Sequence, residues 1–322
     1  MNFRETVWLS GGANSFLSSL RRRLRQDGIE FVNQPRKGFD IALLNALTDG
    51  LTLERLKAIH AYGKPVVHRK VGYVVSGSAQ MRAVQDGVVW GDRLQIEMSP
   101  YIHHSVFQSR YSHDTFAAEG FLGKSSIITN GVDTDIFHQS VSCGLWGSGN
   151  RSRRSFWDGR STFRLAIATW SKDPAKGFDE YLRFDEALEG MGNVEIWFIG
   201  RHPPDVLFRN IRCFGARGHR RLAKLLRNCH GFIQMARSET CSNAMLEAIN
   251  CGLPVIYLNS GSSKELASNY GVEYCGDPAE SIANLQTQYP DLSERTIDNP
   301  YSIELAAKEY LKLIHEVLVR HG

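Results

Sequence analysis

Residues 234–247 read Gln-Met-Ala-Arg-Ser-Glu-Thr-Cys-Ser-Asn-Ala-Met-Leu-Glu. An apolar run, Phe232 to Met235, enters this stretch and reads as a strand; a short polar loop follows, then an apolar helix from about Asn243. The helix stops at Gly252 and Pro254, because glycine accepts the left-handed cap and proline cannot continue a helix. In open parallel sheets, ligands sit beyond the carboxyl ends of the strands, where helix N-termini present unpaired N–H groups to anions. The amides of Cys241 to Ala244 occupy such a helix start, with Ser242 or Asn243 as the cap. Glu239 precedes the helix and Glu247 lies about one turn inside it. The competing reading makes Asn243, Glu247 and Asn250, at i, i+4 and i+7, the solvated stripe of an amphipathic helix.

The same alternation extends in both directions. Apolar runs at Phe163 to Thr169, Val194 to Ile199, Ile211 to Phe214 and Val255 to Leu258 alternate with helical patterns, which makes one Rossmann-like unit. Upstream, Glu5 to Ser10, Phe39 to Leu44, Pro65 to His68, Ile102 to Gln108 and Ser126 to Thr129 alternate with helix-like Asn14 to Gln26, Leu51 to Tyr62 and Ser109 to Glu119. Between them the glycine- and arginine-rich residues 138–162 read as a linker. The expected layout is α/β throughout: residues 1–137 an N-terminal Rossmann-like domain, 163–297 a second one, and 298–322 a terminal helix packing back on the first.

With 322 residues, two cores are affordable, and 42% hydrophobic against 22% charged residues is the balance of a folded chain. No run of about eighteen apolar residues occurs, and Met1 to Ser10 carries no secretory pattern. The six cysteines show no Cys-x-x-Cys spacing, so neither zinc nor a disulfide framework is suggested and a reducing, cytoplasmic setting is expected. A net charge of +4 is too mild to argue for nucleic acid, though it suits anionic ligands.

Other candidates lie at strand-to-helix junctions. Gly11-Gly12 is either a loop that lets a ligand approach the backbone or a tight structural turn. His68 and Arg69, followed by Lys70, end an expected strand, where they either face a ligand or are structural. Lys172 and Lys176 are either solvated loop lysines or cations for an anion. His103, His104 and His113 lack the carboxylates and spacing of a metal site, and no metal is expected.

The spacing Glu239, seven residues, Glu247, continued by Ala248 and Cys251-Gly252-Leu253-Pro254-Val255-Ile256, resembles the E-x7-E motif of retaining glycosyltransferase family 4. Asn130-Gly131-Val132-Asp133 with Phe137 resembles that family's "NGVD…F" element, Lys176-Gly177-Phe178-Asp179 its "KGFD" element, and Gly261, Ser262 and Glu265 its "GGxxE". The resemblance covers the C-terminal half well and the N-terminal half only through its layout. It implies a GT-B fold, two Rossmann-like domains facing across a cleft, and transfer of a sugar with retention of configuration from a nucleoside-diphosphate sugar. UDP is expected ahead of GDP, with no cofactor and no metal, and the acceptor is a saccharide or a lipid-linked molecule.

By the same resemblance, Glu239 contacts the donor sugar, Glu247 the ribose, and Lys176 the diphosphate, whose charge grows as the glycosidic bond breaks. His68 joins Glu239 and Lys176 as a catalytic candidate. Lys172, Gly12, Cys241, Ser242, Asn243 and Arg69 join Glu247 in binding the donor, and the base is expected near Arg212 to Gly218. The family carries an arginine five residues before the lysine; here that residue is Ser171, with Lys172 beside it. Lys172 can stand in only as a point charge, without the two-pronged fork of arginine.

The alternatives are an epimerase or phosphorylase of the same fold, a dehydrogenase, and a silent nucleotide-sugar binding module. A dehydrogenase needs G-x-G-x-x-G and a later acidic residue, which are lacking here. Finally, Asn14 to Gln26 sets Phe16, Leu17, Leu20 and Leu24 against Arg21, Arg22, Arg23 and Arg25. It is either a core helix with solvated arginines or a peripheral attachment to an anionic inner membrane face.

Overall fold

The computed structural model describes residues 1, 12–32, 38–72, 82–85, 87–139 and 157–321. The expected strand Glu5 to Ser10, Gly11 and most of the expected linker lie outside these residues. The chain divides into two compact units: Met1–Gly131 with Ser238–Cys241 and Ile303–Gly322, and Val132–Arg237 with Ser242–Ser302.

The first unit begins with helix α1, Gly12–Gln26, and continues through β1 (Ala42–Asn45), α2 (Leu53–His60) and β2 (Val66–Arg69). A two-stranded antiparallel ribbon, β3 (Val84–Gln85) with β4 (Val88–Val89), leads to α3 (Trp90–Glu97), β5 (His104–Phe107), α4 (Arg110–Ala118) and β6 (Ser125–Ile127). The strands β1, β2, β5 and β6 form a parallel sheet in that order. The terminal helix, Ile303–His321, buries Ile303, Ala306, Ala307, Tyr310, Leu313, Ile314 and Val317, which recur with helical period. Ile303, Tyr310 and Val317 of this stripe pack with Phe16, Leu17, Leu20 and Leu24 of α1 and with Leu43, Val67 and Val106 of the sheet. Each large apolar side chain so buried stabilises the unit by roughly 1.5–3 kcal/mol before entropy is counted.

That packing settles what α1 buries. Its leucines lie in the core, and its arginines are partly engaged: Arg23 pairs with Asp27 at 3.0 Å, and the guanidinium groups of Arg21 and Arg25 lie over the Phe31 ring at 5.6 and 5.9 Å. Arg21 is itself buried. Burial of the leucines belongs to both readings of this helix, and Arg21 is not a solvated arginine as the core-helix reading had it. Among the described residues no helix is long and apolar enough to cross a membrane.

The second unit holds β7 (Phe163–Thr169), α5 (Phe178–Ala187), β8 (Val194–Gly200), β9 (Arg212–Cys213), α6 (His219–Leu226), β10 (Gly231–Gln234), α7 (Asn243–Asn250), β11 (Val255–Tyr257), α8 (Ser263–Ala267), β12 (Gly271–Glu273) and α9 (Pro278–Arg295). Its six strands are all parallel and run β12-β11-β10-β7-β8-β9 across the sheet. Numbered from β7 as one, this is the order 3-2-1-4-5-6, so the strand sequence reverses direction between β7 and β10. Such a switch point opens a crevice beyond the carboxyl ends of the two strands, because their connections leave toward opposite faces. Phe163, Leu165, Ile167, Ile196, Phe198, Ile233, Phe184, Leu285 and Tyr289 fill the core between the sheet and its helices.

Candidate functional site

Two loops meet at the switch point, and both are fixed by backbone contacts. After β7 the chain passes Ser171 and Lys172 into a single 3-10 turn, Pro174–Lys176, capped by Asp173, whose carboxylate accepts the Ala175 N–H at 3.0 Å. Gly177 then takes φ +83° and starts α5. A Cβ on Gly177 would stand 2.2 Å from the Met235 carbonyl oxygen, so only glycine lets this turn close on the end of β10. Two residues beyond Met235, the Arg237 N–H donates to the Ala175 oxygen at 2.8 Å. The Arg237 guanidinium grips Asp179 with two hydrogen bonds, 2.8 and 2.6 Å. Lys176 therefore sits on a turn stitched to the strand that leads into α7, while Lys172 lies exposed on the approach to it.

Helix α7 starts six residues after Arg237. Ser242 caps it by accepting the Met245 N–H at 3.4 Å, and Asn243 is its first residue. The solvated-stripe reading of α7 is corrected here: Glu247 is 6% exposed and Asn250 fully buried, along with Met245, Leu246, Ala248 and Ile249. Asn250 has a structural assignment, since its amide donates to the Tyr301 oxygen at 3.1 Å and its oxygen accepts the Tyr301 N–H at 3.3 Å. Glu247 has none: among the described residues no hydrogen bond reaches its carboxyl group, and burial pushes its pKa up to about 8. A buried carboxyl group without hydrogen-bond donors is costly, and it gains most from a ligand that brings hydroxyl groups. The other carboxylate, Glu239, lies half-buried in Ser238–Cys241, the short stretch grouped with the first unit, together with Cys241. Ser238 at its start has φ +53°, a left-handed conformation that costs a side chain energy.

The remaining candidates lie elsewhere in the first unit, and two of them are buried and hydrogen-bonded within it. His68 and Arg69 do not present a polar strand end. His68 is 0% exposed and Arg69 3%. The His68 Nε2 bonds the Ala46 oxygen at 3.0 Å, and Ala46 itself has φ +42° at the exit of β1. Arg69 donates to the side-chain oxygens of Asn45 and Asn130, both at 2.8 Å, and its backbone oxygen accepts the Ala46 N–H at 2.7 Å. Together the two side chains hold a strained turn shut. Burial, helped by the nearby Lys70 charge, drives the His68 pKa down to about 3 against the opposing Ala46 hydrogen bond, so the ring is neutral near pH 7. Lys70, fully buried, donates from Nζ to the Gln95 oxygen, and burial lowers its pKa to about 7. Gly12 is the first residue of α1. His103 and His104 serve the sheet: His103 Nδ1 accepts the Val66 N–H at 3.0 Å, and His104 Nε2 meets Ser126 Oγ at 2.8 Å.

The sequence reading passed over Gly200 and Arg201. Gly200 closes β8 with φ +142°, and a Cβ there would stand 1.8 Å from the Thr169 oxygen; the Arg201 N–H donates to that same oxygen at 2.9 Å. The signal available in the sequence was the Ile199-Gly200-Arg201 strand ending, which has the same strand-to-glycine form as the junctions that were noticed.

Residues 207–295 match a family model described as glycosyl transferases group 1. No curated protein matches the chain in sequence. Among solved structures, the chain is similar to sucrose-phosphate synthase from Thermosynechococcus elongatus, at 11% identity, 97% of this chain, 81% of that one and a TM-score of 0.65. AviGT4, a glycosyltransferase involved in avilamycin A biosynthesis, gives 14% identity, 97% and 91% coverage and a TM-score of 0.61. The pneumococcal O-GlcNAc transferase GtfA, in complex with UDP and GlcNAc, gives 15% identity over 81% of this chain and 55% of that one, with a TM-score of 0.59. At such low identities these likenesses show the fold, which is GT-B, and the family match covers the half of the second unit that carries α7.

Proposed function

We propose that the protein transfers a sugar, with retention of configuration and without a metal ion, from a nucleoside-diphosphate sugar to a saccharide or lipid-linked acceptor. The observation that carries this reading is the switch point of the second unit, where a lysine-bearing turn is stitched to the strand feeding a capped helix that buries a donorless glutamate. That combination suits a nucleotide: hydroxyl groups for Glu247, an anion for the N–H groups at the start of α7, and cations for its negative charge. UDP is the preferred donor nucleotide, supported by the UDP named for the GtfA structure. The glycosyl transferases group 1 match over residues 207–295 supports the reaction class.

In this mechanism the protein supplies binding, orientation and charge. Lys176, with Lys172 nearby, stabilises the departing diphosphate as it gains charge. The amides from Cys241 to Ala244, capped by Ser242, hold phosphate oxygens, and Asn243 adds its side chain. Glu247 accepts hydrogen bonds from the ribose, Glu239 orients the donor sugar, and residues 212–218 face the base. The acceptor is assigned to the first unit, where His68 and Arg69 act as internal supports and not as reacting groups.

The test is release of UDP or GDP from a panel of sugar nucleotides, with and without simple acceptors. Glu247→Ala is expected to weaken nucleotide binding, while Glu239→Ala mainly lowers turnover. If no nucleotide sugar is bound or consumed, the proposal fails; if donor is consumed to give an epimer without transfer, the epimerase reading replaces it.

A further inference from the structure

The carboxyl end of β8, the strand beside β7, carries one more cation. Strands β7 and β8 pair in parallel over seven residues, with Thr169 opposite Gly200 in register. A side chain at Gly200 would collide with the Thr169 oxygen, and the Gly200 N–H donates to the Gly215 oxygen at 3.0 Å. Arg201 follows immediately, its backbone pinned to the Thr169 oxygen, and His202 packs back on Phe198 and Phe208 at ring distances of 5.5 Å each. The backbone of Arg201 is thus held from both sides, one strand spacing from the exit of β7, about 4.8 Å. An arginine side chain is longer than that.

Three other arginines of this unit are committed to acids. Arg237 is bound by Asp179, and Arg164 and Arg212 both pair with Glu195, at 2.9 and 3.7 Å. Arg201 is exposed, and among the described residues no ion pair or hydrogen bond engages its guanidinium. Across the register stands Ser171, neutral and occupied in accepting the Asp173 N–H at 3.1 Å, and then the two lysines. Lysine supplies a point charge, whereas a diphosphate is best held by a planar fork that bonds two oxygens at once. A free guanidinium on a rigid backbone, next to a site whose own loop offers only lysines, is placed to supply that fork.

We infer that Arg201 is a diphosphate-binding residue of the second unit, reaching from the end of β8 the position that Ser171 leaves without a guanidinium. The inference rests on the sugar-nucleotide reading above and assigns one more residue to it. It differs from a solvated surface arginine in being specific to the phosphates and in being exchangeable with a guanidinium introduced at residue 171.

The experiment compares binding of UDP, GDP and uridine by the full chain and by Arg201→Gln, Arg201→Lys and the double variant Ser171→Arg with Arg201→Gln, using calorimetry. Arg201→Gln is expected to weaken UDP binding about 10- to 100-fold, the effect of losing a charge-assisted contact, while uridine binding and the melting temperature of the empty protein stay unchanged. Arg201→Lys falls between, and the double variant recovers part of the loss. UDP binding by Arg201→Gln equal to that of the parent, or an equal loss for uridine, overturns the inference, as does a double variant with no recovery. A parent that binds neither UDP nor GDP overturns the sugar-nucleotide reading itself, which is a different result from an unaffected variant of a binding parent.

Discussion

Gly177 and Met235 are in backbone contact: the space a methyl group would take on residue 177 is occupied by the Met235 carbonyl, 2.2 Å from the Cβ position. This contact joins the turn after β7 to the end of β10, the two strands that flank the switch point. It converts two loops, each unremarkable alone, into one rigid platform.

Gly177→Ala is therefore expected to be among the most damaging single substitutions in the second unit. It meets two penalties at once, a side chain in a left-handed conformation and a clash with backbone that cannot rotate away. Together these amount to about 2–4 kcal/mol. Urea denaturation reads the stability, and nucleotide binding reads the platform. A variant within roughly 0.5 kcal/mol of the parent, the size of an ordinary surface change, would show that the turn can yield.

Lys176→Ala, in contrast, keeps the backbone bonds of the turn and takes away the side-chain charge. Turnover with the best donor is expected to fall by about two to three orders of magnitude, with little change in melting temperature. Lys172→Ala, exposed and further along the loop, should lower it less. The reverse ranking in a steady-state assay would move the main cationic role to Lys172.

The legibility of this chain varied with how locally each feature is determined. Gln234 to Glu247 was readable because cap, loop and stop signal are all adjacent in sequence, and the helix does begin at Asn243. The burial of Glu247 was not readable: its polar spacing with Asn243 and Asn250 matched a solvated stripe, and such spacing alone does not tell a water-facing carboxyl group from a buried one. The terminal helix was expected to pack back on the first domain, and in the structure Ala306 and Ala307 belong to its buried stripe whereas the larger Leu305 and Val319 are exposed. His68 and Arg69 were expected to face a ligand because a strand end looks the same in sequence whether its side chains point out or support a neighbouring turn. The ribbon Val84–Gln85 with Val88–Val89 and the helix Trp90–Glu97 carried too little apolar periodicity to be seen.

Glu247 should make nucleoside binding depend on pH. In the empty protein its carboxyl group is raised to about 8 by burial, so it is mostly protonated at neutral pH. Ribose hydroxyl groups donate to the ionised form, which lowers the pKa on binding and releases a proton. Uridine affinity is accordingly expected to rise with pH between about 6 and 8, by at most about tenfold per unit. Calorimetry in buffers of different ionisation enthalpy measures the proton released, and uridine avoids the titration of phosphates. Glu247→Gln should bind uridine with no such dependence. A parent with a flat profile would remove Glu247 from the ribose.

His68 sets the last expectation, which concerns acid stability and has the opposite sign. Its pKa is about 3 in the folded protein against about 6.5 in an unfolded chain, with burial the main cause and the charges of Lys70 and Arg69 acting in the same direction. The unfolded chain thus binds the proton more readily than the folded one between these values. The stability contributed by the neutral ring is complete above pH 6.5 and is lost as the pH falls toward 3, by about 1.4 kcal/mol per unit at most. Glu247 opposes this trend, because its raised pKa makes the fold gain stability as pH falls from 8 toward 4.5. The parent's profile alone therefore mixes the two, and the informative quantity is the difference between the parent and His68→Gln. Glutamine removes the titration, and its amide is long enough to reach toward the Ala46 oxygen that His68 Nε2 now bonds. The parent is expected to be the more stable protein at pH 7, with its advantage shrinking by about 2 kcal/mol on going to pH 5. Urea denaturation at a series of pH values measures it. A difference that stays constant from pH 7 to pH 4 would mean that the ring takes up its proton as readily in the fold as in the unfolded chain, which is incompatible with a histidine buried against the turn at Ala46.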